Sequence, residues 1–240
     1  MAILIKKDLS IVIPILNEEK NIIPLTNKIK KNLKKIKFEI IFVDDRSIDN
    51  SKKVLLSLKK KYKFFKPILR NEVSRDLTQS CFLGIEKSQS ENILIMDGDM
   101  QHDPKYIKNI FQTYLKKELD VVVGARKLRK GPNKGLTEIR RFASILLIFF
   151  FYILQILTLY SIRGFLLFNK KIYLKNKKMY FGKGFKILAD ILINTKTTLN
   201  TKDVFINFKR RYESESKMNY RILLILIHFY LRSILKKLFI

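Results

Sequence analysis

Short apolar runs alternating with stretches of helical periodicity fill the first half of this chain, and that alternation leaves few folds open. Residues 10–14, 39–43, 67–69, 93–96 and 120–124 are runs of Ile, Val, Leu and Phe too short for helices, with turn residues around them. Runs of this kind suit strands covered on both faces. Between them, residues 18–33, 47–59, 77–88 and 104–117 carry apolar side chains at helical spacing. Asp49 stands near the start of the second of these segments and Pro104 in the first turn of the fourth, both suited to helix N-termini. The strand–helix order predicts an α/β fold, a mostly parallel sheet with helices on both faces. No internal repeat or low-complexity linker interrupts it.

The ends of the strands carry the polar residues. Pro14, Leu16, Asn17 and Glu18 follow the first run, Asp44 to Asp49 the second, Asp97-Gly98-Asp99 with Met100 to Pro104 the fourth, and Gly124-Ala125-Arg126 the fifth. A further cluster, Arg211 to Met218, comes after the apolar run 204–208. Open α/β sheets bind ligands in the crevice outside the carboxyl ends of their strands. Any one cluster could be a solvated turn, and Asp-x-Asp arises by chance in acidic turns, but their joint occurrence is hard to explain so. If the chain stays extended through Asp97 and Asp99, the two carboxylates face one way. They can then approach one divalent cation, and hard oxygen ligands suit Mg2+ or Mn2+. Such a cation could bridge the diphosphate of a nucleotide.

Forty-nine basic residues against 21 acidic give a formal charge of +28. This balance favours an anionic partner such as phosphate or an acidic membrane surface, although a simple excess of Lys explains the total equally well. Nucleic acid is disfavoured, because the basic residues are not interleaved with aromatics on a recognisable nucleic-acid-binding fold. Cys81 is the single cysteine, so no internal disulfide framework exists and a reducing compartment is expected. The chain reaches its first strand by Leu9 without a signal-peptide core, so the polar strand ends are expected in the cytoplasm.

Two later segments point to a membrane surface. Residues 142–162 carry no charge, and a spanning helix needs about 20 such residues. Arg140, Ser144, Gln155 and Thr158 fall near one side of a helical wheel, which favours an interfacial or packed helix, about 137–162, over a spanning one. In residues 221–240, Arg221, His228, Arg232 and Lys236 line one face of an otherwise apolar helix. That pattern fits a helix lying on anionic lipid, or packed against the domain. Residues 1–218 are expected to form one domain and 219–240 an amphipathic membrane-associated helix.

On Val43-Asp44-Asp45-Arg46-Ser47, Met96 to Pro104 and the late Arg211, Ser216-Lys217-Met218, the chain resembles the family 2 glycosyltransferases of GT-A fold. Within them it is similar to the dolichol-phosphate mannosyltransferase and polyprenyl-phosphate glycosyltransferase group, over roughly residues 9–218. The resemblance implies a metal-dependent, inverting transfer of a sugar, mannose from GDP-mannose, to a polyprenyl phosphate at the cytoplasmic face of the membrane. By the same resemblance Pro14, Leu16, Glu18, Val43 and Asp45 line the base and ribose pocket. Asp97, Gly98 and Asp99 sit at the diphosphate, with Asp99, Gln101 and Asp97 holding Mg2+ or Mn2+. Arg126, Arg211 and Lys217 face the donor's phosphates, and Arg140 with Ser144 meets the phosphate of the lipid acceptor. Asp99, Arg126 and Arg211 are the implied catalytic residues. Leu16 stands where this group usually has Tyr, Tyr160 and Arg163 stand before Gly164-Phe165 where an Asp and a small residue are usual, and Ser214 replaces a usual Gly. These departures bear on donor identity. The alternatives left open are another donor such as UDP-glucose, a saccharide acceptor, or a non-catalytic basic module on the same fold.

Overall fold

The structure, a computed structural model, describes residues 7–116, 118–126, 165–184, 187–207, 225, 227–233 and 235. Its strands are β1 (Leu9–Ile15), β2 (Phe38–Asp44), β3 (Phe65–Leu69), β4 (Asn92–Ile95), β5 (Val121–Arg126), β6 (Leu166–Asn169) and β7 (Thr201–Ile206). They form one seven-stranded sheet in the order β3-β2-β1-β4-β6-β5-β7. Strand β6 runs antiparallel to both its neighbours, and every other pairing is parallel. The mostly parallel α/β sheet expected from the sequence is therefore present, with helices on both faces.

Side-chain alternation along the strands explains the two cores. Leu9, Ile11, Ile13 and Ile15 of β1, with Ile40 and Phe42 of β2, point to one face. There they meet Ile22, Leu25 and Ile29 of α1 (Glu19–Asn32), Leu55 and Leu58 of α2 (Ser51–Lys61), and Ile107, Ile110 and Phe111 of α4 (Ile107–Lys116). Val12, Ile41 and Val43 point to the other face and pack on Cys81, Phe82 and Ile85 of α3 (Leu77–Glu86). The helix Ile187–Asn194 adds Ile187, Leu188 and Ile191 to that second core. A Cβ at Gly84 would overlap the Val12 side chain, so glycine sets how closely α3 approaches β1.

Several boundaries differ from the sequence reading. The second helix begins at Ser51 instead of 47, because the intervening residues form a hydrogen-bonded loop at the end of β2. A 3-10 turn, Pro104–Tyr106, precedes α4. The chain leaves strand conformation after Ile95 and bends at Gly98 to Met100, so Asp97 and Asp99 are not on an extended segment. Strand β6 and the helices Lys170–Asn176 and Ile187–Asn194 were not foreseen. Since β6 lies between β4 and β5, the strand-end clusters on β4 and β5 are not on adjacent strands.

The two flanks of the segment 127–164 meet: the Gly124 N–H donates to the Phe165 carbonyl at 2.7 Å. The uncharged run 142–162 itself lies outside the described residues. Of the C-terminal segment, residues 225, 227–233 and 235 are helical. Phe229, Tyr230 and Ser233 are buried, and Phe181 meets Phe229 edge-on at 5.6 Å while the Arg232 guanidinium lies 5.5 Å over the Phe181 ring. This helix is thus packed on the domain along one side. Ile227, Leu231 and Leu235 are about half exposed along another, with His228 and Arg232 also exposed. Among the described residues no helix is long and apolar enough to cross a membrane.

Candidate active site

The parallel strands β1, β2 and β4 end at one edge of the sheet, and there the backbone loses its strand partners. Pro14 explains where the divergence begins. The Val12 carbonyl accepts from the Met96 N–H at 3.1 Å, and the paired register of β1 with β4 stops at Val12 opposite Ile95. Two residues on, Pro14 has no N–H to extend that ladder. The β4 chain turns away into the Asp97-Gly98-Asp99 bend. A Cβ on Gly98 would lie 2.6 Å from the Ile15 side chain, so glycine lets the bend rest against the end of β1.

The loops after β1 and β2 are sewn together. The Asn17 N–H donates to Ser47 Oγ at 2.8 Å, and the Ile48 N–H returns to Asn17 Oδ1 at 2.9 Å. Asp49 accepts from the N–H groups of Glu19 and Ser51, at 3.1 and 3.0 Å, and so serves the start of both α1 and α2. Asp44 Oδ1 accepts from the Ser47 N–H at 3.1 Å and from its hydroxyl. Glu18 is buried, and its carboxylate accepts from Asn21 Nδ2 at 2.6 Å. Asn17, Arg46 and Met100, one in each loop, take positive φ angles of 57°, 63° and 63°. Left-handed backbone is unfavourable for residues with a side chain, and it concentrates at sites where surrounding bonds hold it.

Asp45 is held through both of its carboxylate oxygens. Its Oδ1 lies 2.5 Å from Arg70 Nη1, and its Oδ2 accepts from the Asp76 N–H at 2.7 Å. Burial raises the Asp45 carboxyl above the usual carboxylate range, while the Arg70 guanidinium and the Asp76 amide pull it down. Arg70 was not singled out from the sequence. It follows β3, is 5% exposed, and also donates to the Asp76 carbonyl, Ser80 Oγ, the Ser74 carbonyl and Glu72. Asp76 in turn caps α3 by accepting from the Gln79 N–H at 3.0 Å, and accepts from the Gly184 N–H at 2.7 Å. The signal that could have found Arg70 is an arginine directly after a strand, one strand away from the Asp44-Asp45 pair.

The remaining expected residues fall as follows. Leu16 is half-buried beside this edge. Val43 is fully buried beneath α3, so its side chain belongs to the sheet–helix core. Asp99 is 8% exposed, and its Oδ1 accepts from the Gln101 N–H at 3.1 Å. Asp97 has 30% of its side chain exposed, and its Oδ2 is 3.8 Å from His102 Nε2. Arg126 is the last residue of β5, in register with Ile206 of β7. Arg140, Ser144, Arg211 and Lys217 lie outside the described residues. Among the described residues no three His, Cys, Asp or Glu side chains cluster as a metal cage. Mg2+-type sites at nucleotides commonly need one or two carboxylates, with substrate phosphates and water completing the set. The donor chemistry of Asp97, Asp99 and Gln101 fits that arrangement.

A testable consequence concerns the buried ion pair. Removing one member of such a pair strands the other and costs about 3–5 kcal/mol. Arg70→Met is expected to lower the free energy of urea unfolding by about that amount, and Asp45→Asn on top of it to cost much less than Asp45→Asn alone. An unchanged midpoint for Arg70→Met would show that the pair does not hold the loops.

Comparison with known proteins extends this geometry. The model of the family described as glycosyl transferase family 2 matches residues 10–179. An uncharacterised protein of Methanocaldococcus jannaschii is 34% identical over 140 residues, 56% of this chain and 58% of that protein. A dolichol-phosphate mannosyltransferase of Pyrococcus furiosus is 27% identical over 56% of this chain and 38% of its own length. A dodecaprenyl-phosphate galacturonate synthase of Rhizobium johnstonii is 35% identical over 51% of this chain and 37% of its own. The chain thus spans less than two thirds of each of these relatives. In fold it is similar to glucosyl-3-phosphoglycerate synthase from Mycobacterium tuberculosis, solved with Mn2+, UDP-glucose and phosphoglyceric acid: TM-score 0.70, 14% identity, 96% of this chain and 79% of that one. The family match runs from β1 through β6 and takes in every strand-end loop just described, and the chain belongs to glycosyl transferase family 2.

Proposed function

We propose that this chain transfers a sugar from a nucleotide diphosphate to a polyprenyl phosphate at an anionic membrane surface, with mannose from GDP-mannose as the donor. The observation that carries the reading is the convergence at one sheet edge of loops 16–19 and 44–51, bonded to each other, and the bend 97–101, which rests against the end of β1, in a family 2 chain. Two of the relatives are named for products on polyprenyl-type phosphates, one of them for mannose.

The chemistry follows from the residues. Asp45, held by Arg70 and the Asp76 amide, keeps a further lone pair on each oxygen with which to meet N–H donors of a base. Asp97, Asp99 and Gln101 would hold Mg2+ or Mn2+, which when bound neutralises charge on the departing diphosphate. Arg126, Arg211 and Lys217 are assigned to the same charge, and Arg140 with Ser144 to the acceptor. A phosphate monoester has a second pKa of about 6, so the acceptor is already anionic at neutral pH and can attack without a general base. One direct displacement inverts the anomeric centre.

Two features support action at a membrane surface. The segment 142–162 is flanked by β5 and β6, which are hydrogen-bonded to each other. A single crossing would put its two flanks on opposite sides of about 30 Å of hydrocarbon. The exposed Ile227, Leu231 and Leu235 recur at helical spacing beside Arg232, an apolar stripe with a basic edge.

Two measurements test the proposal. Purified protein is incubated with radiolabelled GDP-mannose, UDP-glucose and UDP-galacturonate and a short polyprenyl phosphate, with and without Mn2+. Labelled lipid from GDP-mannose is expected, lost in EDTA and lost in Asp99→Ala, whereas full turnover in either condition would remove the metal assignment. Separately, replacing Ile227, Leu231 and Leu235 together by Asp is expected to cut binding to phosphatidylserine vesicles at least tenfold without lowering the melting temperature. Unaltered vesicle binding would move the membrane contact elsewhere.

A further inference from the structure

His102 is fully buried, yet the transfer chemistry above gives it no part. Its imidazole stacks on the Phe165 ring, with centroids 4.9 Å apart and planes at 18°. That ring in turn fills the space where a side chain at Gly124 would stand: a Cβ there would lie 2.7 Å from Phe165 Cδ1. Three strands contribute to this stack, through Gly124 within β5, Phe165 leading into β6, and the bend after β4. An apolar ring at 102 would serve the packing. What an apolar ring lacks is Nδ1, which accepts from the Asp97 N–H at 3.1 Å.

That bond closes a gap in the sheet. The β4–β6 ladder ends with Ile95 opposite Leu166, and Asp97 stands two residues beyond it. This amide is partly buried, and a shielded amide without an acceptor is costly, so His102 supplies what a neighbouring strand no longer does. With Nδ1 accepting, the neutral ring carries its proton on Nε2. Nε2 is 3.8 Å from Asp97 Oδ2, so both the backbone and the carboxylate of Asp97 are set against one ring.

We infer that His102 is a positioning residue, whose imidazole, clamped by Phe165, fixes the Asp97-Gly98-Asp99 bend in the geometry that receives the donor's diphosphate. The inference rests on the function proposed above for that bend. Partners that orient metal-binding carboxylates without touching the metal typically carry about 10–100-fold in metal affinity.

Three variants separate the atoms of the ring. His102→Phe keeps the stack and has no acceptor. His102→Asn places an amide oxygen near the position of Nδ1, and His102→Gln places its amide near Nε2. Mn2+ affinity is read by electron paramagnetic resonance in the presence of GDP, exchange of the Asp97 amide by hydrogen–deuterium exchange without ligand, and folding by the melting temperature. His102→Phe is expected to speed Asp97 amide exchange and weaken Mn2+ binding about 10–100-fold, with His102→Asn recovering more of both than His102→Gln. Wild-type Mn2+ affinity in His102→Phe, or Asp97 exchange that is the same in all four proteins, would overturn the inference. Wild-type protein that takes up no Mn2+ with GDP would instead overturn the proposed function, and this inference with it.

Discussion

Everything at this site depends on how the backbone is satisfied where the parallel strands run out. Inside the sheet each amide has a strand partner. At the carboxyl edge that supply ends, and buried N–H groups must find other acceptors. Side chains provide them: Asp44 for the Ser47 amide, Asp45 for the Asp76 amide, Asp49 for the Glu19 and Ser51 amides, and His102 for the Asp97 amide. The polar residues that line this edge are therefore also those that complete the fold. Two of these bonds, Asp45 with the Asp76 amide and Asp49 with the Glu19 amide, join loops that follow different strands, and the other three each close a single loop.

The arrangement holds polar groups in burial that favours their neutral forms. Burial raises the carboxyls of Asp45, Asp76 and Asp190, and amide donors oppose it at each; Arg70 adds its charge at Asp45 and Asp76. Carboxylates held this way lose little further solvation when a ligand covers them, and their direction is set beforehand. The same bonds run outward. Asp76 binds the Gly184 amide, Asp190 binds the Phe181 and Gly182 amides, and Phe181 packs against Phe229 of the C-terminal helix. The helix that carries the exposed apolar stripe is thus joined by contiguous contacts to the loop that orients Asp45.

The first five strands and four helices were legible because apolar runs and helical spacing alternate cleanly through residue 124, and the clusters at the strand ends follow from that register. What escaped has physical causes. Strand β6 is four residues long and leads straight into a helix, so no period of its own marks it. Its antiparallel insertion between β4 and β5 is a property of the whole sheet that no local pattern carries. The extended reading of Asp97 to Asp99 failed because the effect of Pro14 is exerted across the sheet, on β4. Arg70 looked like one basic residue among 49, and its burial against Asp45 depends on a contact across 25 residues. His102 was visible in its motif, but the ring that clamps it, Phe165, lies beyond the segment 127–164.

The most direct test of the account is a crystal structure of the protein with GDP and Mn2+. The account requires the diphosphate at the Asp97-Gly98-Asp99 bend, Mn2+ touching Asp99, and the base between the loops that follow β1 and β2, within hydrogen-bond reach of Asp45. A nucleotide bound at the opposite edge of the sheet, or a base lying away from Asp45 and Arg70, would contradict it.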